Sequence, residues 1–425
     1  MAALAMLAAP AGATKLDLSA DLELRAANYS GLIYGSQRNS QSFFSENASL
    51  GFVIKDIRLE KTPQSTMDVG IVLQSIGPNA SSTTVSGPQF SSIAERLPNI
   101  DGSPFLRGAY VKIYKFLNPN ITATLGRQDF MLGQGLALSS NDLGFPGGRL
   151  EINNVFQGIK TDLFFFRPLH HSRYVRIYGA SAFYPGNEGL WQLYHFWEQN
   201  RFASQDIVFD TSSKTKKFTG LRYVLTQKHL AFDGEAVIQR GSANSTDATT
   251  GSYEAHAFML KGSWMQNITV FGRAKVRLGY GRSSGNMQVS SDTDKAFFPD
   301  FGKRYKGLER DGYGEIAGAS LYDILKTSDT VNGLPDALSG LNIINIGLDL
   351  PYRKLLLSAD LYKFRASQNS EGGSIQIASE WDLKASYSLG ENLRLSVVYA
   401  VLTPLGLYSD TTETKLVYGA VSGRF

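Results

Sequence analysis

The sequence has no cysteine, only four tryptophans and a formal net charge of only +4 over 425 residues. Without cysteine, the fold cannot depend on disulfides. The small net charge and the lack of a basic tail argue against a nucleic-acid partner, and none is expected. No apolar run reaches the roughly 18 residues that a transmembrane helix needs, so no membrane helix is expected.

What the chain does have is apolar–polar alternation with a period of two, while helical periodicity is nearly absent. Residues 15–26 (KLDLSADLELRA), 66–74, 229–239 and 392–402 show it clearly. In an extended strand, alternate side chains point to opposite faces. Amphipathic segments of about 9–11 residues are typical of strands that cross a membrane in a β-barrel.

The connections between these segments alternate between very short and long. The short ones include residues 117–119, 226–228, 351–353 and 390–391, and the long ones include 29–41, 78–104, 129–152 and 284–312. A transmembrane up-and-down barrel predicts this pattern, with tight periplasmic turns and long outer loops. A soluble sandwich would not need such long strands, because soluble strands average about 5–6 residues.

The predicted fold is an all-β, transmembrane antiparallel up-and-down β-barrel. Fifteen clear strands and a C-terminal one give 16, and a further pair at 191–200 and 204–210 gives 18. Bacterial barrels have even strand numbers, so 16 and 18 are the alternatives, and we favour 18. The last residue, Phe425, is in phase with Val417 and Val421. This ending resembles the assembly signal of outer-membrane barrels.

The domain organisation follows from the same patterns. Residues 1–13 are small and apolar and end in Ala-Gly-Ala, which favours a signal-peptide remnant over an unstructured terminus. The barrel is predicted to span 14–425, with long extracellular loops at 78–104, 129–152 and 284–339. The last of these loops either folds over or into the lumen as a gate or constriction, or lies outside; we favour the second.

Residues 270–281 (VFGRAKVRLGYG) indicate which row of side chains faces the lumen. One of its two rows carries three cations, Arg273, Lys275 and Arg277, and the other row is apolar. If the three cations faced lipid, each would cost about 2–4 kcal/mol at the midplane, so their row is expected to face the lumen. The same reasoning predicts lumen-facing cations and acids in similar number. The cations are Arg25, Lys55, Lys112, Lys160, Arg176, Arg222, Arg273, Lys275, Arg277, Lys384 and Arg394, and the acids are Asp17, Asp21, Glu23, Asp68, Asp162, Asp233, Glu235, Glu254, Asp360, Glu380 and Asp382. Either these charges form ion pairs that keep the barrel round, or the cations form a ring that selects anions.

Several stretches resemble the alginate-export family of outer-membrane proteins. The nearest is TLGRQDFMLGQGL; others, in the family's order, are LRGAYVKIY, VFQGIKTDLF, KFTGLRY, VRLGYGRSSGN, FFPDFGKRYKG and SEWDLKASYSL. The resemblance implies an 18-stranded barrel that exports an anionic polysaccharide through an arginine-rich pore, with a strand pair at 191–210. Carried over by motif, the matching arginines are Arg107, Arg127 and Arg222. By strict alternation Arg127 falls in the apolar row, so either a bulge turns it inward or it sits above the lipid.

A barrel enzyme is the main alternative class, and it would need a nucleophile–base pair. Of the five histidines, His256 is expected in the lumen beside Glu254, where a solvated histidine is a simpler explanation than a catalyst. His170 and His171 lack further metal ligands at useful spacing. No enzymatic activity, metal or other cofactor is therefore expected.

The sequence thus predicts a Gram-negative outer-membrane channel for passive passage of an anionic solute, an acidic polysaccharide or oligosaccharide exported through a cation-lined lumen. The alternatives are a general or nutrient-uptake porin of mixed selectivity, and a barrel enzyme or structural adhesin. The expected partners are outer-membrane lipid, the anionic saccharide and, for export, a periplasmic scaffold; the barrel is expected to act as a monomer. The predicted pore-lining or substrate-binding residues are Arg107, Lys112, Arg127, Lys160, Arg176, Arg222, Arg273, Lys275, Arg277, Lys384 and Arg394.

Overall fold

A computed structural model shows an antiparallel β-barrel closed on itself. It describes residues 14–34, 37–59, 62–79, 102–156, 158–168, 175–186, 188–201, 204–205, 210–245, 250–287, 292–307, 309–325, 330–335, 337–405 and 412–425. Its large sheet has 20 strands, and two of these, Ser204–Gln205 and Thr293–Asp294, are two-residue segments at the rim. The other 18 strands make the barrel wall, which confirms the predicted count.

The barrel strands are numbered β1 to β18 in chain order. They are β1 Lys15–Tyr34, β2 Gln37–Leu59, β3 Thr62–Asn79, β4 Phe105–Tyr114, β5 Ile121–Gln128, β6 Phe145–Ile152, β7 Lys160–Phe166, β8 Val175–Pro185, β9 Gly189–Asn200, β10 Asp210–Thr226, β11 Leu230–Ser245, β12 Thr250–Ile268, β13 Gly272–Ser283, β14 Leu338–Tyr352, β15 Leu355–Asn369, β16 Gln376–Ser388, β17 Leu393–Pro404 and β18 Thr414–Arg424. Within the predicted extra pair, 191–200 lies in β9; of 204–210, Ser204–Gln205 is one of the rim segments, Asp210 begins β10, and 206–209 lie outside the described residues.

Closure is made by the first and last strands. Residues 21–30 of β1 pair antiparallel with 415–424 of β18. Phe425 continues this ladder, because its N–H and C=O exchange hydrogen bonds of 2.8 and 3.0 Å with the backbone of Ala20. A closed barrel has no unpaired strand edge, which is the condition for placing a sheet in lipid.

The two rows of side chains on each strand face lipid and lumen, as β13 illustrates. Val276 and Leu278 are 41% and 57% exposed on the outer surface. Arg277, on the other row, bonds Asp349 at 2.9 Å and Asp360 at 2.8 Å on the next two strands. Within the described residues, no helix is long and apolar enough to span a membrane.

Several strands are longer than the 9–11 residues predicted; β1 has 20 and β2 has 23. The prediction of a long connection at 29–41 is wrong, because β1 continues to Tyr34 and pairs there with Gln37. A register shift between Tyr29 and Leu32, where Gly31 has a φ of 69°, interrupts the alternation and hides this hairpin from the sequence pattern.

Two connections fold into the barrel and narrow it. The short loop, residues 129–144, ends earlier than the predicted 129–152, because β6 already begins at Phe145. The long loop comprises the described residues between β13 and β14, which are 284–287, 292–307, 309–325, 330–335 and 337. Its contacts with inward-facing wall side chains show that it lies in the lumen rather than wholly outside. Most of the predicted loop 78–104, namely residues 80–101, lies outside the described residues.

Candidate functional site in the barrel lumen

The long loop is held against β16 by three backbone donors. Ile316 and Ala317 donate their N–H groups to the Glu380 side chain at 2.7 and 2.9 Å, and Glu315 donates its N–H to Asp382 at 3.0 Å. Glu380 and Asp382 lie on the inward row of β16 and are only 2% and 5% exposed. We call these five residues the latch, because the wall satisfies loop donors that would otherwise be buried without acceptors.

Ionic contacts on neighbouring strands join the same part of the long loop to the wall. Arg25 on β1 forms an ion pair with Glu309 of the loop. Lys306 reaches Glu23 on β1, with 2.9 Å between Nζ and Oε2. These contacts fix the loop to the arc of wall formed by β1 and β16.

On the opposite side of the lumen the long loop packs through aromatic rings. Phe196 and Phe218 stack on β9 and β10 with 4.8 Å between ring centroids, and Phe297 meets Phe218 edge-on at 6.2 Å. All three are almost fully buried. This part of the lumen is therefore a packed apolar core rather than an aqueous channel.

Asp300 anchors the long loop beside that core. Its carboxylate lies 2.8 Å from Lys214 Nζ and 3.1 Å from Lys216 Nζ on the inward row of β10. Burial would raise the pKa of Asp300, but the two ammonium groups outweigh it and hold the pKa well below its ordinary range. The carboxylate therefore stays charged at neutral and mildly acidic pH.

The short loop docks on β10 and β11 and contacts the long loop. Gln134 donates its N–H to Glu235 at 2.5 Å, and Arg222 donates to the Gly133 carbonyl at 2.8 Å. The Ser139 N–H donates to the Phe301 carbonyl at 2.7 Å. The two loops thus form one inward-folded body attached to the wall.

The space that the loops leave open is a cavity of about 940 Å³. It reaches from the tight turn between β16 and β17, at Ser388 and Arg394, to Arg107 and Asp129 near the ends of β4 and β5. Tight turns are periplasmic in such barrels, so the cavity extends most of the way through the wall's height. This large cavity is a candidate part of the conduction pathway.

Charge in the large cavity is nearly balanced. Its cations are Arg107, Lys303, Lys306, Arg394 and Arg424, and its acids are Asp21, Glu23, Asp129, Asp142, Asp311 and Glu391. Most of these cations are paired, as in the 2.6 Å contacts of Arg107 with Asp129 and of Lys303 with Asp311. Such pairing leaves little net field to select ions by sign.

A second cavity, of about 480 Å³, has a different charge balance. Its charged lining groups are Lys261, Lys275, Arg277 and Asp233, and two rings, Tyr313 and Tyr362, cross at 6.4 Å. We call it the basic pocket.

Its two lysines are the least compensated charges, although Asp233 lies directly opposite Lys261 in the ladder and the Lys261 ammonium is 5.6 Å from the centroid of the Tyr313 ring. Asp233 is held by Arg222 at 2.6 Å, and Arg277 is shared between two wall acids. Among the residues that the structure describes, neither Lys261 nor Lys275 forms an ion pair. The basic pocket therefore carries net positive charge beside two aromatic rings.

The structure distributes the predicted site residues over several parts of the wall. Arg107 and Arg394 line the large cavity, and Lys275 and Arg277 line the basic pocket. Lys384 faces inward 3.8 Å from Glu315 of the long loop.

The other inward-facing residues of the predicted set bond to the barrel wall or to the short loop. Lys112 and Lys160 share Glu151 at 3.6 and 2.9 Å. Arg222 is engaged with the short loop and Asp233. Arg273 donates to the Lys228 carbonyl at a tight turn.

Two predicted pore residues lie on the outward row instead. Arg127 shares its row with Leu125, which is 57% exposed, and β5 pairs with both neighbours without a register shift that could turn it inward. Arg176 is exposed between Val175 and Ile177, whose side chains are buried inside. The inward placement predicted for Arg176 is wrong. Of the two placements left open for Arg127, the structure shows the one above the lipid, so its predicted pore-lining position is wrong as well. Both residues sit near the loop end of their strands, where the outer surface extends beyond hydrocarbon.

The expected lumen positions of His256 and Glu254 are also wrong. Both are exposed on the outward row of β12, whereas Tyr253, Ala255 and Ala257 form the buried inward row. The usual polarity is inverted here because the long loop fills the lumen and needs apolar partners. His170 and His171 lie outside the described residues.

The alternation pattern missed two kinds of cavity-lining residue: those on β12, where the polarity of the two rows is inverted, and those on the loops. Lys261 continues the inward row of Tyr253 and Met259, which is the row opposite to Glu254 and His256, so the expected lumen position of those two residues excluded it from the lumen. Lys303 and Tyr313 reach the cavities only because the long loop folds inward. The only available signal for an inward-facing Lys261 was that it lies on the same face of the sheet as Asp233 and Arg277 of the neighbouring strands.

A closed, two-faced barrel of 18 strands, with an inward-folded loop body and cavities in its lumen, defines an outer-membrane channel. The chain is similar to OccK9 (OpdG) of Pseudomonas aeruginosa, with 13% identity, a TM-score of 0.61 and coverage of 96% of this chain and 98% of that one. It is also similar to OccAB2 of Acinetobacter baumannii, with 11% identity, a TM-score of 0.58 and the same coverages. At these identities the likeness establishes the fold alone. No curated protein sequence matches the chain.

The family follows from the sequence. The model of the alginate export family matches residues 94–321, which is more than half of the chain. The protein therefore belongs to the alginate export family, as its motifs predicted, and it is a protein of the Gram-negative outer membrane.

Proposed function

We propose that the channel passively conducts a carboxylate-bearing saccharide, with the basic pocket as the place where the solute is held in transit. The observation that carries this proposal is the least compensated pair of charges, Lys261 and Lys275, beside Tyr313 and Tyr362. Ammonium groups attract carboxylates, and tyrosine rings present flat surfaces to the apolar faces of sugars. The pocket thus offers both kinds of contact that an acidic sugar can use.

The strength of the attraction suits a channel. A carboxylate at 4 Å from an ammonium gains about 1 kcal/mol in bulk water and about 4 kcal/mol at an effective dielectric constant near 20. Conduction requires attraction of this modest size, because a tightly bound solute would not leave. Asp233, already held by Arg222, adds weak repulsion that favours release.

The family and one structural neighbour are consistent with the same solute class. The alginate export family gives export as the proposed direction of transport. OccK2 (OpdF) of Pseudomonas aeruginosa, with a TM-score of 0.55 to this chain, is known in complex with glucuronate. Glucuronate is a suitable probe, since it combines one carboxylate with one sugar ring. Because a single chain encloses a complete lumen, we also propose that it acts as a monomer, and for export we propose a periplasmic scaffold as its partner.

A general porin of mixed selectivity is the second candidate, and the balanced charge of the large cavity favours it. In that case the ion pairs, such as Arg107 with Asp129, serve mainly to hold the loops and the wall together.

Planar-bilayer recording separates the two candidates. In a salt gradient, anion-preferring reversal potentials and partial current block by glucuronate are expected for the wild type. The double variant Lys261→Glu, Lys275→Glu should shift the reversal potential toward cation preference and abolish the block. The control is Arg240→Glu, an outward-facing residue that should change neither quantity. Cation preference in the wild type, or block that survives in the double variant, would reject the proposal in favour of the mixed porin.

A further inference from the structure

The outward face of β13, β14 and β15 carries a group of cations near the end where the long loops emerge. Arg282 is directly opposite Asn342, which is directly opposite Arg365 on the next strand. With strands about 4.8 Å apart, the two arginines stand roughly 10 Å from each other across the surface. Lys363 lies two residues below Arg365, about 7 Å along the same strand.

These side chains face away from the lumen. On each of the three strands they share a row with exposed apolar side chains. Arg282 is in phase with Leu278, Asn342 is in phase with Ile344 and Ile346, and both Lys363 and Arg365 are in phase with Leu361. These four apolar side chains are 41–61% exposed. Because the apolar members of the rows meet hydrocarbon, the cations at their upper ends meet the headgroup layer of the membrane. Tight turns are periplasmic in such barrels, so this is the outer leaflet.

Nearby acids do not neutralise this group. The positions paired with its outer members are Phe258, opposite Arg282, and Gln376 and Ser379, opposite Arg365 and Lys363. Within the described part of the chain, none of the three cations forms an ion pair. Arg365 Nε is also buried with no hydrogen-bond partner.

Another outward cation shows that pairing is available elsewhere on the same surface. Arg240 on β11 lies 2.8 Å from the carboxylate of Glu254 on β12, and both side chains are about half exposed. Arg282, Lys363 and Arg365 thus differ from it in lacking an acidic partner from the protein.

We propose that Arg282, Asn342, Lys363 and Arg365 form a lipid patch that binds the phosphate-bearing headgroup of an outer-leaflet lipid. Guanidinium groups match phosphate oxygens with two parallel hydrogen bonds, and the ammonium of Lys363 adds a third donor. The two leucines and two isoleucines below contact the acyl chains of the same molecule. The patch is on the outside of the barrel, so it is independent of the solute proposed for the lumen.

Native mass spectrometry of the full-length protein in detergent tests this proposal with bis-phosphorylated lipid A as the probe. The wild type should bind it, and the triple variant Arg282→Gln, Lys363→Gln, Arg365→Gln should bind at least ten-fold more weakly. Dephosphorylated lipid A should bind equally to both. Excess inorganic phosphate should not displace the lipid, because it lacks the acyl contacts.

A matched control is the triple variant Arg176→Gln, Lys217→Gln, Arg240→Gln, which removes the same charge from other outward positions and should bind within about three-fold of wild type. Equal losses in the two triple variants would mean general charge attraction and would overturn the patch. Unchanged binding in the first triple variant, or displacement of the lipid by inorganic phosphate, would also overturn it. Heat-modifiable gel migration and single-channel conductance show that each variant has folded.

Discussion

Removing Glu380, one of the two acceptors of the latch, should release the long loop from the barrel wall. In Glu380→Leu, the buried N–H groups of Ile316 and Ala317 lose the side chain that receives them at 2.7 and 2.9 Å. A buried donor left without an acceptor costs about 1–3 kcal/mol. Two such donors therefore destabilise the docked loop by roughly 2–6 kcal/mol.

This energy converts into a population of released loop. Since about 1.4 kcal/mol is a tenfold change, the ratio of released to docked loop should rise roughly 30-fold to more than 10,000-fold. Single-channel recording should then show conductance levels above the wild-type level, because the lumen widens when the loop leaves. Glu380→Gln keeps one side-chain oxygen as an acceptor and should show a smaller effect.

The matched control is Glu254→Leu, the same substitution at an exposed outward position on β12. It should leave the conductance levels as they are in the wild type. If Glu380→Leu folds and its conductance distribution matches that of the wild type, the latch does not hold the loop and this reasoning is wrong.

Two further predictions concern the anchors of the loops. Gly133 has a φ of 59°, and an added Cβ would lie 2.1 Å from the buried Glu235 carboxylate. The variant Gly133→Ala should therefore displace the short loop and lower the thermal midpoint in detergent. The left-handed backbone conformation alone would cost alanine roughly 1–2 kcal/mol. An unchanged midpoint would contradict the docking of this loop. Burial would raise the pKa of Asp300, but Lys214 and Lys216 lower it. Its stabilising effect is therefore complete above the ordinary carboxyl pKa of about 4 and is lost progressively as pH falls from there toward the lower folded value. The midpoint difference between wild type and Asp300→Asn should therefore be equal at pH 8 and pH 5 and shrink below pH 4; a difference that shrinks already between pH 8 and pH 5 would refute this assignment.

Most of the fold could be predicted from residue order, because lipid and water impose a period of two on every wall strand. Along β13, an apolar row with Val276 and Leu278 and a cationic row with Lys275 and Arg277 allow only one orientation. The inward position of Arg277 between Asp349 and Asp360 agrees with that expectation. The tight turns then give the direction of the strands, and the even strand number of bacterial barrels gives the parity.

The candidate site was predicted less well, because alternation identifies faces only where one side is lipid and the other water. In the half of β12 nearest the long loop, the inner side faces neither lipid nor water but packed protein. Tyr253 and Ala255 pack inside the filled lumen, while Glu254 and His256 meet water or headgroups outside. A local pattern cannot show this, since it depends on a segment more than 30 residues away folding inward.

The sequence by itself therefore determined a membrane barrel, its family and the inward direction of Arg273, Lys275 and Arg277 on β13. Only the tertiary structure decided where the lumen remains open, which cations are neutralised and which are not. The physical reason is that strand orientation is set by each strand's own contact with lipid, whereas the pathway is set by contacts between distant parts of the chain. The latch illustrates the second case, because Glu380 and its loop donors are more than 60 residues apart.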